Sequence, residues 1–369
     1  MSKTTILMMV DGLDPEYLRA CPTPTLQELA TLGFMTEGTA MVPTVTNVNN
    51  ASLLTAQYPS IHGITSNYWL DRDRKTESYM DSGQFIESET IFERAAALGR
   101  RSLLVTAKEK LRNLLGHETF VSISAECPPP WLVNAIGAPP PMYSLEVNRW
   151  IVDAARCVLS RCSFDIAYLA TTDYPMHAFA PEDPESALHL ELLDNAIGRL
   201  MEGVDCEILI TADHGMSAKT RMLNLPEHLL KNGIVSRAVP IVKDRYTVHH
   251  SNLGGCIYIY LLERDRHTLA AALEILRGID GVDRVVSRDE ALLLFGLMPN
   301  RIGDLVALGA RDVVFGNPDE VCMPEKLRSH GSLHEQRVPI IGYGGDFEGF
   351  DFTDNRDLGR YVFERVLGF

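Results

Sequence analysis

Residues Glu207–Ser217 read EILITADHGMS. The opening is aliphatic and β-branched, as suits a buried strand, and it stops at Asp213-His214-Gly215. Two other apolar runs end in a similar way. ILMMV (6–10) runs into Asp11, and IAYLATT (166–172) runs into Asp173. One Asp after a strand is ordinarily a cap or turn residue. Three at equivalent places ask for a common explanation, and a carboxylate beside an imidazole is a donor pair suited to a metal ion.

Working outward, RSLLVTA (101–107) is a fourth run of the same kind. Helix-length stretches lie between the runs: TPTLQELATLG, ETIFERAAALG, SLEVNRWIVDAARCVLSR and PESALHLELLDNAIGRLMEG. The first carries a Thr cap and a Pro in its first turn, and two of them reach Gly just past the last periodic residue. Strands alternating with helices predict an α/β fold, a mostly parallel sheet covered by helices on both faces. In such folds ligands sit beyond the carboxyl ends of the strands. The region from about 241 to 324 reads differently. GGCIYIYLL, DRHTLAAALEILRGI, VDRVVS, RDEALLLFGL and DLVALGARDVVFG alternate strand and helix in a compact α+β insert. The expected division is a catalytic core at 1–220 and 326–369 with a smaller cap insert at 221–325. RVPIIGYG (337–344) is expected as a final strand of the main sheet.

The 34 basic and 49 acidic residues leave a net charge of −15, which argues against a nucleic-acid partner. The seven cysteines contain no CxxC pair, so no disulfide framework or thiolate metal site is readable. The apolar run that stops at Asp11 is too short to span a membrane and lacks a small-residue cleavage site. The expectation is a cytoplasmic protein with no membrane partner, and a homodimer is left open.

Asp173 and His177 stand four residues apart in TTDYPMHAFAP, where Pro175 and Pro181 shorten any helix to a turn. HGSLHEQRVP adds His330 and His334 on a Gly-containing loop. With Asp11, Asp213 and His214, three carboxylates and three or four imidazoles are enough for two metals. Such a pair suits in-line displacement at phosphorus. Hydroxyl nucleophiles are offered by Thr44, Thr46, Ser52 and Thr55 in VPTVTNVNNASLLT, and spacing does not choose among them.

MMVDGLDPEYL, TPTLQELATLGF, PTVTNVNNASLLTAQYPSIHGITSNYW, TTDYPMH, TADHGMS and HGSLHE, in that order, resemble the alkaline phosphatase superfamily. The similarity is greatest to its phosphonoacetate hydrolase and nucleotide pyrophosphatase/phosphodiesterase branches. The resemblance implies an alkaline-phosphatase-like core, Thr46 as nucleophile and Asn67 as its assistant. It also implies two Zn²⁺ per subunit. One is expected on Asp173, His177 and His334, the other on Asp11, Thr46, Asp213 and His214. LVTAKEKLRNLLG (104–116) is similar to the phosphonoacetate hydrolase segment that supplies two lysines to a substrate carboxylate, here Lys108 and Lys110. The implied reaction is hydrolysis of the C–P bond of phosphonoacetate through a phospho-threonine. A phosphodiesterase or nucleotide pyrophosphatase is the alternative. TNVNN after the nucleophile departs from the TFPNH of the phosphodiesterase branch, and CPTPT (21–25) fails the sulfatase pattern. His249 and His250 are expected to be structural.

Overall fold

A computed structural model describes residues 3–368 of the chain. Its centre is a seven-stranded sheet in the order Phe34–Thr39, Arg337–Tyr343, Cys206–Thr211, Thr4–Met9, Ile166–Ala170, Ser102–Thr106, Val121–Ser124. The last five in that order are mutually parallel, and Arg337–Tyr343 runs antiparallel to both its neighbours. Both faces are covered, so the strands read as unbroken apolar runs rather than alternating ones. Ile6 and Met8 point into one core with the helices Val147–Leu159 and Pro184–Gly203. Leu7 and Met9 point into the other with Thr46–Thr55 and Ile91–Ala97. This is the α/β architecture expected from the sequence.

The paired ends fix what lies beyond them. Met9 is level with Ala170 on one side and Thr211 on the other, and Thr106 is level with Ala170. Asp11, Asp213 and Lys108 each follow the last strand residue by two positions, and Asp173 follows by three. Four adjacent parallel strands therefore deliver a charged side chain to one edge. The antiparallel strand Arg337–Tyr343 starts at that same edge, which brings the preceding loop, with His330, to it.

A second, antiparallel sheet has the order Ser236–Pro240, Cys256–Leu261, Leu305–Gly309, Val282–Ser287. Ile257, Ile259 and Leu305 face a small core of their own with the helices Leu225–Lys231 and Arg266–Arg277. Tyr258, Val306 and Leu308 face the other way, into the main core. Ser217–Lys219 pairs with Leu327–Ser329, which closes the neck through which the chain leaves the main sheet and returns. Among the described residues no helix is long and apolar enough to cross a membrane.

Candidate metal centre and active site

Two triads converge at the carboxyl edge, Asp11–Asp213–His214 and Asp173–His177–His330, each with its donor atoms within 4.8 Å of one another and every residue buried. His214 Nε2 lies 3.5 Å from Asp11 Oδ1 and 3.6 Å from Asp213 Oδ2. His177 Nε2 lies 2.8 Å from Asp173 Oδ2, and His330 Nε2 lies 3.8 Å from the same oxygen. Asp173 caps the short helix Tyr174–Ala178, so one turn, not a long helix, brings its carboxylate beside His177. The triads touch through His214 and His330, whose rings stack at 3.6 Å and 8°.

In all three imidazoles Nδ1 lies on a main-chain carbonyl. His177 Nδ1 is 2.6 Å from Arg328 O, His214 Nδ1 is 3.0 Å from Gly215 O, and His330 Nδ1 is 2.7 Å from Thr44 O. A ring that donates Nδ1–H to a carbonyl keeps Nε2 as a lone pair, here facing the carboxylates. Asp11 Oδ1 and Asp213 Oδ2 are buried with no hydrogen-bond partner. Burial first, then the charges of Asp173 and Asp213, push the Asp11 carboxyl well above the ordinary range. Buried carboxylate oxygens without donors, beside nitrogen lone pairs, fit divalent cations. The donor set of each triad, oxygen and nitrogen with no sulfur, suits Zn²⁺ and equally Mn²⁺, Fe²⁺ or Co²⁺.

One predicted ligand is corrected. His334 turns away from the edge, with Nε2 2.6 Å from Asp283 Oδ2 of the insert and a third of its side chain exposed. His330, four residues earlier, takes its place. Both stand in one Gly- and Ser-containing loop, and the distant Thr44 carbonyl anchors the ring of His330 at the edge. Of the four candidate hydroxyls, Thr44 bonds Ser332 O, Ser52 bonds Val48 O and His62, and Thr55 bonds Ala51 O. Thr46 Oγ1 instead lies 3.5 Å from His214 Nε2, at the first residue of the helix Thr46–Thr55.

Lys108 and Lys110 are not a solvated helix turn. Lys108 Nζ lies 3.4 Å from Asp173 Oδ1, and Lys110 Nζ pairs with Asp244. Burial pushes the Asp173 carboxyl up, but Lys108 and His177 outweigh it and hold it well below the ordinary range. Tyr246 places its ring 5.3 Å from the Lys108 ammonium and 5.5 Å from that of Lys110. Asn67 and Lys110 line one cavity of about 510 Å³ with Asn47, Asp244 and Tyr246. A larger cavity, about 980 Å³, lies beside the antiparallel sheet, and neither cavity is lined by a triad residue, so volume does not mark the chemistry. His250 Nδ1 accepts a bond from the Asn252 amide, a structural role. His249 reaches the edge, its Nε2 3.5 Å from Asp173 Oδ1. The sequence offers His330 among the candidate imidazoles, but the ligand set implied by the resemblance takes His334 instead, and His249 is expected to be structural. The only signal for His330 was its place in the HGSLHE loop.

A family model described as Type I phosphodiesterase / nucleotide pyrophosphatase matches residues 5–333. The fold is that of a phosphonoacetate hydrolase from Sinorhizobium meliloti 1021, solved in complex with phosphonoacetate. That structure is 29% identical with a TM-score of 0.89, over 99% of this chain and 96% of that one. Murine ectonucleotide pyrophosphatase/phosphodiesterase 5 shares the fold at a TM-score of 0.72 and 18% identity, over 99% and 95% of the two chains. By sequence, a venom phosphodiesterase of Naja atra is 28% identical over 267 residues, 66% of this chain and 31% of its own. An ectonucleotide pyrophosphatase/phosphodiesterase family member 3 of Rattus norvegicus is 27% identical over 223 residues, 57% and 24% of the two. The chain thus spans no more than about a third of the length of these two relatives.

Proposed function

The chain belongs to the type I phosphodiesterase / nucleotide pyrophosphatase family, and from that premise we propose that it is a metal-dependent hydrolase that cleaves the C–P bond of phosphonoacetate to acetate and phosphate. The observation that carries this reading is the lysine pair, Lys108 buried and Lys110 largely so. Lys108 and Lys110 stand at the same sheet edge as both triads, with Lys108 in contact with a triad carboxylate. A carboxylate subsite beside a phosphonate subsite suits a small carboxylated phosphonate. The likeness to a structure solved with phosphonoacetate supports the same class.

In this reading Asp11, Asp213 and His214, with Thr46, hold one Zn²⁺, and Asp173, His177 and His330 hold the other. Bound there, the cations supply Lewis acidity and lower the pKa of a hydroxyl or water. Thr46 Oγ attacks phosphorus in line, from the first turn of its helix, whose free amides and dipole favour an anion. The Asn67 amide steadies a phosphonate oxygen. The P–C bond breaks and its electron pair moves into the adjoining carboxylate as an enolate. The two ammonium groups favour this charge because it is larger in the transition state than in the substrate. The proton lost from the Thr46 hydroxyl is balanced by the one taken up at carbon, which gives acetate. Water then attacks the phospho-Thr46, releases phosphate and restores the hydroxyl.

A second reading, a phosphodiesterase, is favoured by one observation. Each lysine is already paired with an acid, Asp173 or Asp244, which leaves less free charge for a substrate carboxylate. The deciding experiment measures phosphate release from phosphonoacetate by zinc-loaded protein, beside cleavage of bis-p-nitrophenyl phosphate. A Lys108→Ala/Lys110→Ala variant runs in parallel. Phosphate release that collapses in the variant supports C–P hydrolysis. Fast diester cleavage with no phosphate from phosphonoacetate leaves the phosphodiesterase.

A further inference from the structure

The insert does more at the edge than wall it in. Its segment between the strands Ser236–Pro240 and Cys256–Leu261 passes over the lysine pair and plants Asp244 against Lys110. Asp244 is held on three sides. Its amide donates to Asn252 Oδ1 at 3.0 Å, its Oδ1 accepts from the Tyr246 amide, and its Oδ2 accepts from Lys110. Its side chain is 5% exposed and that of Lys110 is 11% exposed. Burial pushes the Asp244 carboxyl up, but Lys110 and Lys108 outweigh it and hold it well below the ordinary range. A buried ammonium without a counter-ion is costly, so an empty site needs a resident anion here. Tyr246, two residues on, covers both ammonium groups and donates its hydroxyl to Glu126 at 2.6 Å.

We propose that Asp244 is a specificity-determining residue, an internal stand-in for the substrate carboxylate that occupies Lys110 in the empty site and is displaced from it by the ligand. The proposal rests on the reading that Lys108 and Lys110 receive a carboxylate. It adds that the affinity of that subsite is set by competition. A ligand carboxylate replaces one salt link with another, whereas a phosphonate without a carboxylate leaves the Lys110–Asp244 pair intact. The subsite thus admits carboxylated phosphonates while holding them weakly enough for product acetate to leave.

The test is calorimetric binding of phosphonoformate and of methylphosphonate to the zinc-loaded full chain, wild type and Asp244→Asn. Asparagine retains Oδ1 as acceptor for the Tyr246 amide and removes both the competing charge and the acceptor that Lys110 uses. Phosphonoformate is expected to bind about tenfold tighter to the variant, because a charge competing within contact distance of the ammonium is gone. Methylphosphonate is expected to change less than about twofold, since it never meets that charge. Phosphonoformate binding that is unchanged or weaker in the variant, with a wild type that prefers it to methylphosphonate, overturns the proposal and leaves the carboxylate subsite standing. Failure of both the wild type and Asp244→Asn to prefer phosphonoformate overturns the subsite itself. Should Asp244→Asn fail to fold, the charge-free pair Asp244→Asn/Lys110→Met carries the test. Beside Lys110→Met alone, it is expected to bind phosphonoformate tighter, because the carboxylate that repels the ligand's own is gone, and equal binding in the two variants overturns the proposal.

Discussion

Each of the three central imidazoles spends Nδ1 on a main-chain carbonyl and turns Nε2 inward, whereas His334 turns its Nε2 to an exposed carboxylate. His330→Ala is therefore expected to weaken zinc binding by at least about 10–100-fold in chelator competition. His334→Ala should change it little, and the reverse order would return His334 to the site. Thr46→Ala should lower turnover on the order of a thousandfold or more while the protein stays folded. An active, folded variant would remove Thr46 as nucleophile. The strand-end residues Asp11, Asp173 and Asp213 were legible because a buried strand announces its own end. The choice of His330 over His334 was not, because it depends on Thr44, 286 residues away in sequence. Two histidines outside the site contribute to acid sensitivity. Burial lowers His62 to about 3 and His189 to about 4. Both folded values lie below the ordinary 6.5, so the unfolded chain takes up protons first. Stability is full above that value and falls as pH drops, by roughly 1.4 kcal/mol per pH unit for each group. Urea unfolding of the chelated protein between about pH 7 and 5 should show this slope, shallower in His62→Gln. Equal slopes in the two proteins would exclude His62 as a source.

The loop that carries His330 is anchored by a fully buried ion pair. Lys219 Nζ lies 2.9 Å from Glu335 Oε1 and also donates to Arg311 O, and Glu335 Oε2 accepts from the amide and hydroxyl of Ser332. Burial pushes the Glu335 carboxyl up, and Lys219 together with hydrogen bonds from Ser217 and Ser332 outweighs it and lowers it. Removing one partner strands a charge in the interior, so Lys219→Met should destabilise the fold by roughly 3–5 kcal/mol. It should also weaken zinc binding, because the loop that presents His330 loses its anchor. A variant as stable as the wild type would show that Glu335 neutralises itself by taking up a proton. Strand and helix existence were readable from periodicity and caps. The direction of Arg337–Tyr343 was not, because polarity within a sheet is decided by where the preceding connection enters. The neck formed by Ser217–Lys219 and Leu327–Ser329 is three residues long on each side, too short to show a period.

A chain with a net charge of −15 concentrates three of its acids in one dry cluster, and their mutual repulsion is stored in the folded state. Divalent cations that bind only that state should raise the melting temperature. The stabilisation is on the order of 2.7 kcal/mol at a free concentration a hundred times the Kd, and EDTA should reverse it. No shift with zinc, manganese or cobalt would discard both triads as metal centres. The sheet order carries one more consequence, for synthesis. The strand Thr4–Met9 is made before both its neighbours, Ile166–Ala170 and Cys206–Thr211, so it pairs with no strand in the 150 or so residues that follow it. Until those residues clear the ribosome, the nascent chain displays an apolar strand with both edges open, the feature that invites aggregation and holdase chaperones. A strand fully sheltered in the finished protein is thus left open through much of its synthesis.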